Sequence, residues 1–135
     1  MGKAEAGDVP FTYALADADG FDIPSTSHIS IVDSEGNAVS MTSSIEMGFG
    51  SAVMVNGFIL NNQLTDFSLS PKRDGKWVAN RVEAKKRPRS SMAPMMVIDS
   101  NKNLSLVVGS PGGSRIINYV AQTMLGVLDW GLTPQ

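Results

Sequence analysis

The sequence contains no cysteine, so disulfides, thiolate zinc sites and thiol catalysis are all excluded. It has a single histidine, His28, which rules out a multi-histidine metal site within the chain. Carboxylates at calcium-loop spacing are absent. Neither a metal nor another cofactor is therefore expected. No apolar run approaches the roughly 20 residues of a membrane span, and the opening MGKAEAGDVP lacks the apolar centre of a secretory signal. A net charge of −2, with the basic residues gathered in one stretch and no interleaved aromatic platforms, gives no footprint for nucleic acid. What remains is 135 residues with 42% hydrophobic and 18% charged content, the profile of one globular domain.

Residues 1–25 carry little apolar pattern and read as a loose, acidic lead-in. From His28 to Asp33 apolar and polar residues alternate, DSEGN makes a turn, and Ala38–Ser44 returns, which predicts a hairpin over 28–44. Asn56-Gly57 predicts a second hairpin, joining Ala52–Val55 to Phe58–Leu60. Residues 69–90 are basic and without apolar period, and read as a long surface loop. Ala93–Asp99 and Leu104–Gly109 predict a third hairpin. Ile116, Ile117, Val120, Ala121, Met124, Leu125 and Leu128 then follow helical spacing, which predicts a helix over about 114–129 on one face of a mainly antiparallel sheet spanning 28–109. Val53, Val55, Ile59, Val97 and Val107 leave both faces of that sheet apolar, more than one helix covers. The fold class is α+β.

Four stretches have candidate chemistry. Ser25, Thr26 and Ser27 cluster at the mouth of the first strand. They either satisfy backbone groups there or supply a nucleophile. His28 stands two residues from Thr26, about 6 to 7 Å along a strand, too far to act as its base. The other arrangement uses the α-amino group of a threonine made N-terminal by a cut between Ser25 and Thr26; such an amine titrates at about 7.7–8.0. GSPGGSR, at a strand-to-helix turn, presents backbone N–H groups that suit a phosphate or an oxyanion, or simply starts the helix; it is not a P-loop, GxxxxGK followed by Ser or Thr. In KRPRSSMAP, Arg87, Arg89 and two serines form either a carboxylate site or a solvated loop. In LNNQLTDFS, Gln63 and Asp66 either accept from an ammonium or end a strand.

Taken in order, TSHISIVDSEGNAVSMTSS, FGS, ILNNQLTDFS, KRPRSSMAP and GSPGGSRIIN resemble the small subunit of the gamma-glutamyltransferase (gamma-glutamyltranspeptidase) family, over residues 24 to about 132. The resemblance implies a fragment of an αββα N-terminal nucleophile hydrolase sandwich. It implies self-cleavage before Thr26, with Ser25 ending a large subunit, so that residues 1–25 are a lead-in and 26–135 a truncated small-subunit, or nucleophile, domain. Thr26 would attack the γ-amide of glutathione or a similar donor, and water, an amino acid or a peptide would accept the acyl group. Gly112 and Gly113 match the family's oxyanion glycines, and Ser44 matches a threonine that supports the nucleophile. Gln63 and Asp66 match residues that hold the donor's ammonium, and Ser90 and Ser91 those that bind its carboxylate.

Glu46 departs from the family's asparagine, which fits a bacterial branch that includes cephalosporin or glutaryl acylases. The alternatives to a γ-glutamyl enzyme are such an acylase or a non-catalytic homologue. The implied partner is a large subunit of the same precursor, and without it this chain is expected to stay uncut and inactive and to pair with another copy through its apolar face. The residues themselves point to no compartment; the resemblance suggests a periplasmic or extracellular one.

Overall fold

Strands β1 (Ser27–Val32) and β2 (Ala38–Ser43) open the computed structural model, which describes residues 26–134. The lead-in 1–25, including Ser25, lies outside the described residues. β1 and β2 pair antiparallel, with Ser27 opposite Ser43 and Val32 opposite Ala38. Asp33 closes their turn: its carboxylate accepts from the N–H groups of Glu35 and Asn37 and from the Asn37 side chain. The hairpin of β7 (Met95–Ile98) and β8 (Leu104–Val108) is closed in the same way. There Asp99 accepts from the N–H groups of Asn101 and Asn103 and from the Asn103 side chain. Both turns read Asp-Ser-x-x-Asn, at 33–37 and 99–103.

Hydrogen bonds to the charged form favour it. The Asn37 side chain above all holds the Asp33 carboxyl below its ordinary value of 3.8, and the Asn103 N–H above all does so for Asp99. A depressed folded-state pKa means that the stabilisation is complete above the ordinary value and is lost as pH falls through the lower, folded one. Replacing both residues with Asn should therefore flatten the acid limb of a melting-temperature profile below pH 3.8. An acid limb as steep as that of the unsubstituted chain would refute this account of the turns.

Two shorter hairpins lie between. β3 (Met54–Val55) and β4 (Phe58–Ile59) turn at Asn56-Gly57, and β5 (Lys72–Arg73) and β6 (Lys76–Trp77) at Asp74-Gly75. All four turn residues have positive φ, as a two-residue hairpin loop demands. The stretch 69–90 is thus not loop throughout. Its hairpin places the Lys72 ammonium 4.4 Å and the Arg81 guanidinium 5.1 Å from the centre of the Trp77 ring, cation–π contacts that hold the strands to the following chain.

The single sheet expected over 28–109 does not form; among the described residues the four hairpins are separate two-stranded sheets. β8 nonetheless lies against the first hairpin. The Ser40 hydroxyl donates to the Val108 carbonyl at 3.2 Å, and the His28 ring fills the space beside Gly109, where a Cβ would sit 2.0 Å from it. That ring also bonds Thr42 Oγ1 at 2.8 Å and Ser30 Oγ at 3.0 Å.

Helix α1 (Ile116–Leu128) follows a 3-10 turn, Gly113–Arg115. Gly131, at φ 67, reverses the chain after it, so that the Leu132 N–H reaches the Gly126 carbonyl at 2.9 Å. The helix packs on β8 through a narrow row: Ile116 and Val120 are buried with Val108, and Met124 is packed against them. The wider stripe expected from periodicity is not covered. Ile117 is 57% and Leu125 48% exposed, because they flank the row that meets β8. Phe67 and Val78 make up the rest of the buried large apolar side chains among the described residues. Ile31, Val39, Met41, Val53, Val55 and Ile98 are exposed on the hairpins, whereas Ile59, Val97 and Val107 are half-buried. The described residues contain no helix long and apolar enough to cross a membrane.

Candidate active site

The β1–β2 register sets the first two groups. Because Ser27 faces Ser43, the next residues outward, Thr26 and Ser44, leave the hairpin end side by side. Both line a cleft whose floor includes Gly113, Ser114 and Ile116 at the entry to α1. The hydroxyls of the first hairpin and the glycine turn thus share one space, although they are far apart in sequence.

A second wall is built from Glu46, Gln63 and Asp66. Ser44 Oγ accepts from the Glu46 N–H at 2.9 Å and turns the chain there. Glu46 adopts φ 76, a left-handed conformation that costs a non-glycine residue on the order of 1 kcal/mol. Asn62 holds the neighbouring segment in place: its N–H donates to the Ile45 carbonyl at 3.2 Å, and its Oδ1 accepts from the Met47 N–H at 3.0 Å. Gln63–Asp66 is itself a 3-10 turn. With three residues per turn, positions i and i+3 are eclipsed, which puts Gln63 and Asp66 on the same side. The Gln63 amide donates to Asp66 Oδ2 at 2.7 Å and to Glu46 Oε2 at 3.4 Å. With its N–H groups committed to two carboxylates, Gln63 Oε1 is buried with no hydrogen-bond partner among the described residues. The two carboxylates make this wall favour a ligand that brings N–H donors and positive charge.

The third wall is Arg89, Ser90, Ser91 and Met92. Ser90 Oγ accepts from the Met92 N–H at 3.3 Å, which bends the segment toward the cleft. This wall offers a guanidinium and hydroxyls, the complement of a carboxylate. The lining therefore combines an acidic, accepting group of side chains with a cationic, donating one, and Thr26 and Ser44 are also part of it.

The structure brings Thr26, Ser44, Glu46, Gln63, Asp66, Ser90, Ser91 and Gly113 to this cleft. Gly112 stands next to Gly113 but does not line it. At φ 132, the position of its absent Cβ is 2.8 Å from the Tyr119 ring, so Gly112 lets the helix entry pack. Of the two arginines considered, Arg89 lines the cleft and Arg87 does not. His28, bonded to Thr42 and Ser30, is not in the lining. Sequence reasoning missed Asn80, whose side chain accepts from the Arg89 N–H at 2.9 Å and donates to the Asp66 carbonyl. No motif marks it; its partners lie 9 and 14 residues away.

Comparison with known proteins gives this arrangement a lineage. A family model described as gamma-glutamyltranspeptidase matches residues 3–135. The glutathione hydrolase proenzyme of Escherichia coli (strain K12) is 43% identical over 114 residues, covering 79% of this chain and 20% of the relative. This chain thus spans about a fifth of the length of that curated relative. Among solved structures, a mutant gamma-glutamyltranspeptidase of Helicobacter pylori is 47% identical with a TM-score of 0.66, covering 78% of this chain and 60% of the other. An acivicin-inhibited gamma-glutamyltranspeptidase is 46% identical at the same TM-score and coverage, and its C-terminus is described as critical in autoprocessing and catalysis. On a family match over nearly its whole length, the chain belongs to the gamma-glutamyltranspeptidase family.

Proposed function

We propose that this chain carries the nucleophile and the donor site of a self-processing γ-glutamyl transferase or hydrolase. The observation that carries the reading is the pairing of two kinds of group in one cleft: the Glu46 and Asp66 carboxylates, both bonded to the Gln63 amide, and Arg89 with Ser90 and Ser91. Such a cleft suits a ligand bearing an ammonium and a carboxylate on one carbon, as the glutamyl head of a γ-glutamyl amide does. The relatives' names, glutathione hydrolase proenzyme and gamma-glutamyltranspeptidase, support the same substrate class and a processed precursor.

In this reading a cut between Ser25 and Thr26 frees the Thr26 α-amine. The amine takes the proton of the Thr26 hydroxyl as Oγ attacks the γ-amide carbonyl. Gly113 in the lining, with Gly112 beside it, offers the backbone N–H groups for the resulting oxyanion, and Ser44 orients the nucleophile. The tetrahedral species collapses, the C–N bond breaks, and the leaving amine departs with the proton held by the α-amine. Water or the amine of an amino acid or peptide then attacks the γ-glutamyl ester and regenerates the hydroxyl. Every step uses hydroxyl, amine and amide groups of the chain, without a cofactor.

The same reading places the chain in an αββα N-terminal nucleophile hydrolase sandwich, with 26–135 as the nucleophile domain and 1–25 leading in from the large-subunit part of the precursor. The large subunit covers the apolar residues that the hairpins expose. A second reading is favoured by one observation. Glu46 stands where the family resemblance has asparagine, a departure that fits a branch of the family that includes acylases of other amides, although its charge beside Asp66 favours an ammonium. Assay of the protein that carries this chain with γ-glutamyl and glutaryl anilides separates the two: turnover of the first supports the proposal, and turnover of the glutaryl compound alone overturns it. The 135-residue chain by itself should pair with a second copy, remain at its intact mass and turn over neither compound. A split between Ser25 and Thr26 would show that the large subunit is not needed for the cut.

A further inference from the structure

We infer that Asn80 is a positioning residue that fixes the separation between the ammonium end and the carboxylate end of the cleft. The inference rests on the donor-site reading above. The Asn80 side-chain amide makes one bond to each wall. Its Oδ1 accepts from the Arg89 N–H at 2.9 Å, immediately before Ser90. Its Nδ2 donates to the carbonyl of Asp66, the residue that also takes the Gln63 amide. One planar group of fixed dimensions thus connects the backbones that present the two ends.

The bridge stands on firm ground. The Asn80 carbonyl accepts from the Ser68 N–H at 2.8 Å, and Ser68 and Arg81 form an isolated parallel bridge beside it. Phe67, next to Asp66, is 6% exposed, and Val78, two residues before Asn80, is 2% exposed. The Val78 N–H is itself taken by the Pro71 carbonyl at 3.0 Å. The short β5–β6 hairpin therefore does more than decorate a loop: it delivers Asn80 to the point where both walls meet. A group that only satisfied backbone partners would support all ligands alike. A group that sets a distance matters most for a ligand that touches both ends.

The test uses the full protein with the same two anilides. The γ-glutamyl compound has both the ammonium and the carboxylate, whereas the glutaryl compound lacks the ammonium and engages one end only. Asn80→Ala should raise KM for the γ-glutamyl anilide about tenfold, the worth of one well-placed hydrogen bond, while kcat and the glutaryl KM stay within about twofold. Asn80→Asp keeps the acceptor for Arg89 and loses the donor to Asp66; it should give the same split, and it serves if the alanine variant does not fold. Equal KM changes for the two donors overturn the inference and leave the donor-site reading intact. Failure of both variants to fold makes Asn80 a determinant of the fold and also overturns it. No turnover of either anilide by the unsubstituted protein overturns both.

Discussion

Thr26→Ala should reduce turnover of a γ-glutamyl anilide by the protein that carries this chain roughly a million-fold, the scale seen when an acyl-transfer nucleophile is removed. The loss follows from chemistry that no neighbour can replace. Thr26 shares the cleft with Ser44, but Ser44 is mid-chain, has no α-amine as a base, and uses its oxygen to hold the Glu46 N–H. The same substitution should leave the precursor uncut, since the attacking group on the Ser25 carbonyl is gone. Thr26→Ser keeps the oxygen and the amine and should retain both cutting and measurable turnover. Full turnover by the alanine variant would remove Thr26 from the mechanism, and cutting without turnover would separate processing from catalysis.

The second large effect is expected at Asp66. Its Oδ2 accepts from the Gln63 amide at 2.7 Å, and Asp66 lines the cleft together with Glu46 and Gln63. An ammonium bound there gains charge-assisted hydrogen bonds of about 1.5–3 kcal/mol. Asp66→Ala removes one acceptor and also frees the Gln63 amide to turn. KM for the γ-glutamyl anilide should therefore rise by about one to two orders of magnitude, with the glutaryl anilide unaffected or improved, because a negative charge has left its surroundings. A shift in donor preference toward the glutaryl compound is the signature. An equal fall for both donors would mean that Asp66 supports the fold and does not read the ammonium.

Much of this architecture was legible in the sequence because it is local. Asn56-Gly57 and the Asp-Ser-x-x-Asn turns carry their hairpins in a few residues, and the helix followed from its spacing. The β5–β6 hairpin does not stand out from loop in the sequence because its strands are two residues long, charged and without alternation. Asp74-Gly75 was the available signal, and it is the same kind of dipeptide that marked the β3–β4 turn. The continuous sheet was an over-extension: alternation shows which residues pair within a hairpin, not whether hairpins join. Ile117 and Leu125 fit the helical period as well as Ile116 and Val120 do, and only the narrow contact with β8 separates them. Most of the residues that line the cleft stand out in the sequence through short polar words in a fixed order. Asn80 does not, since its role exists only when Asp66 and Arg89 are brought within one side chain's reach.

The way Ser40 meets Val108 has a consequence in time. Each major hairpin closes through its own aspartate turn, and hairpins form in about 1–10 μs. The Ser40–Val108 bond joins residues 68 apart, and such distant closures come later because a long loop must be ordered first. The cleft draws on residues from Thr26 to Ile116, so its geometry arrives after the hairpins. Pulse-labelled hydrogen exchange should protect amides of β1 and β2 before the Arg89 amide that Asn80 holds; the reverse order would contradict this sequence of events. On the proposed reading, in which Thr26 cuts the bond before it, the delay would act as a safeguard: the nucleophile would meet its carbonyl only after the surrounding segments have found one another, and a partly folded chain would stay whole.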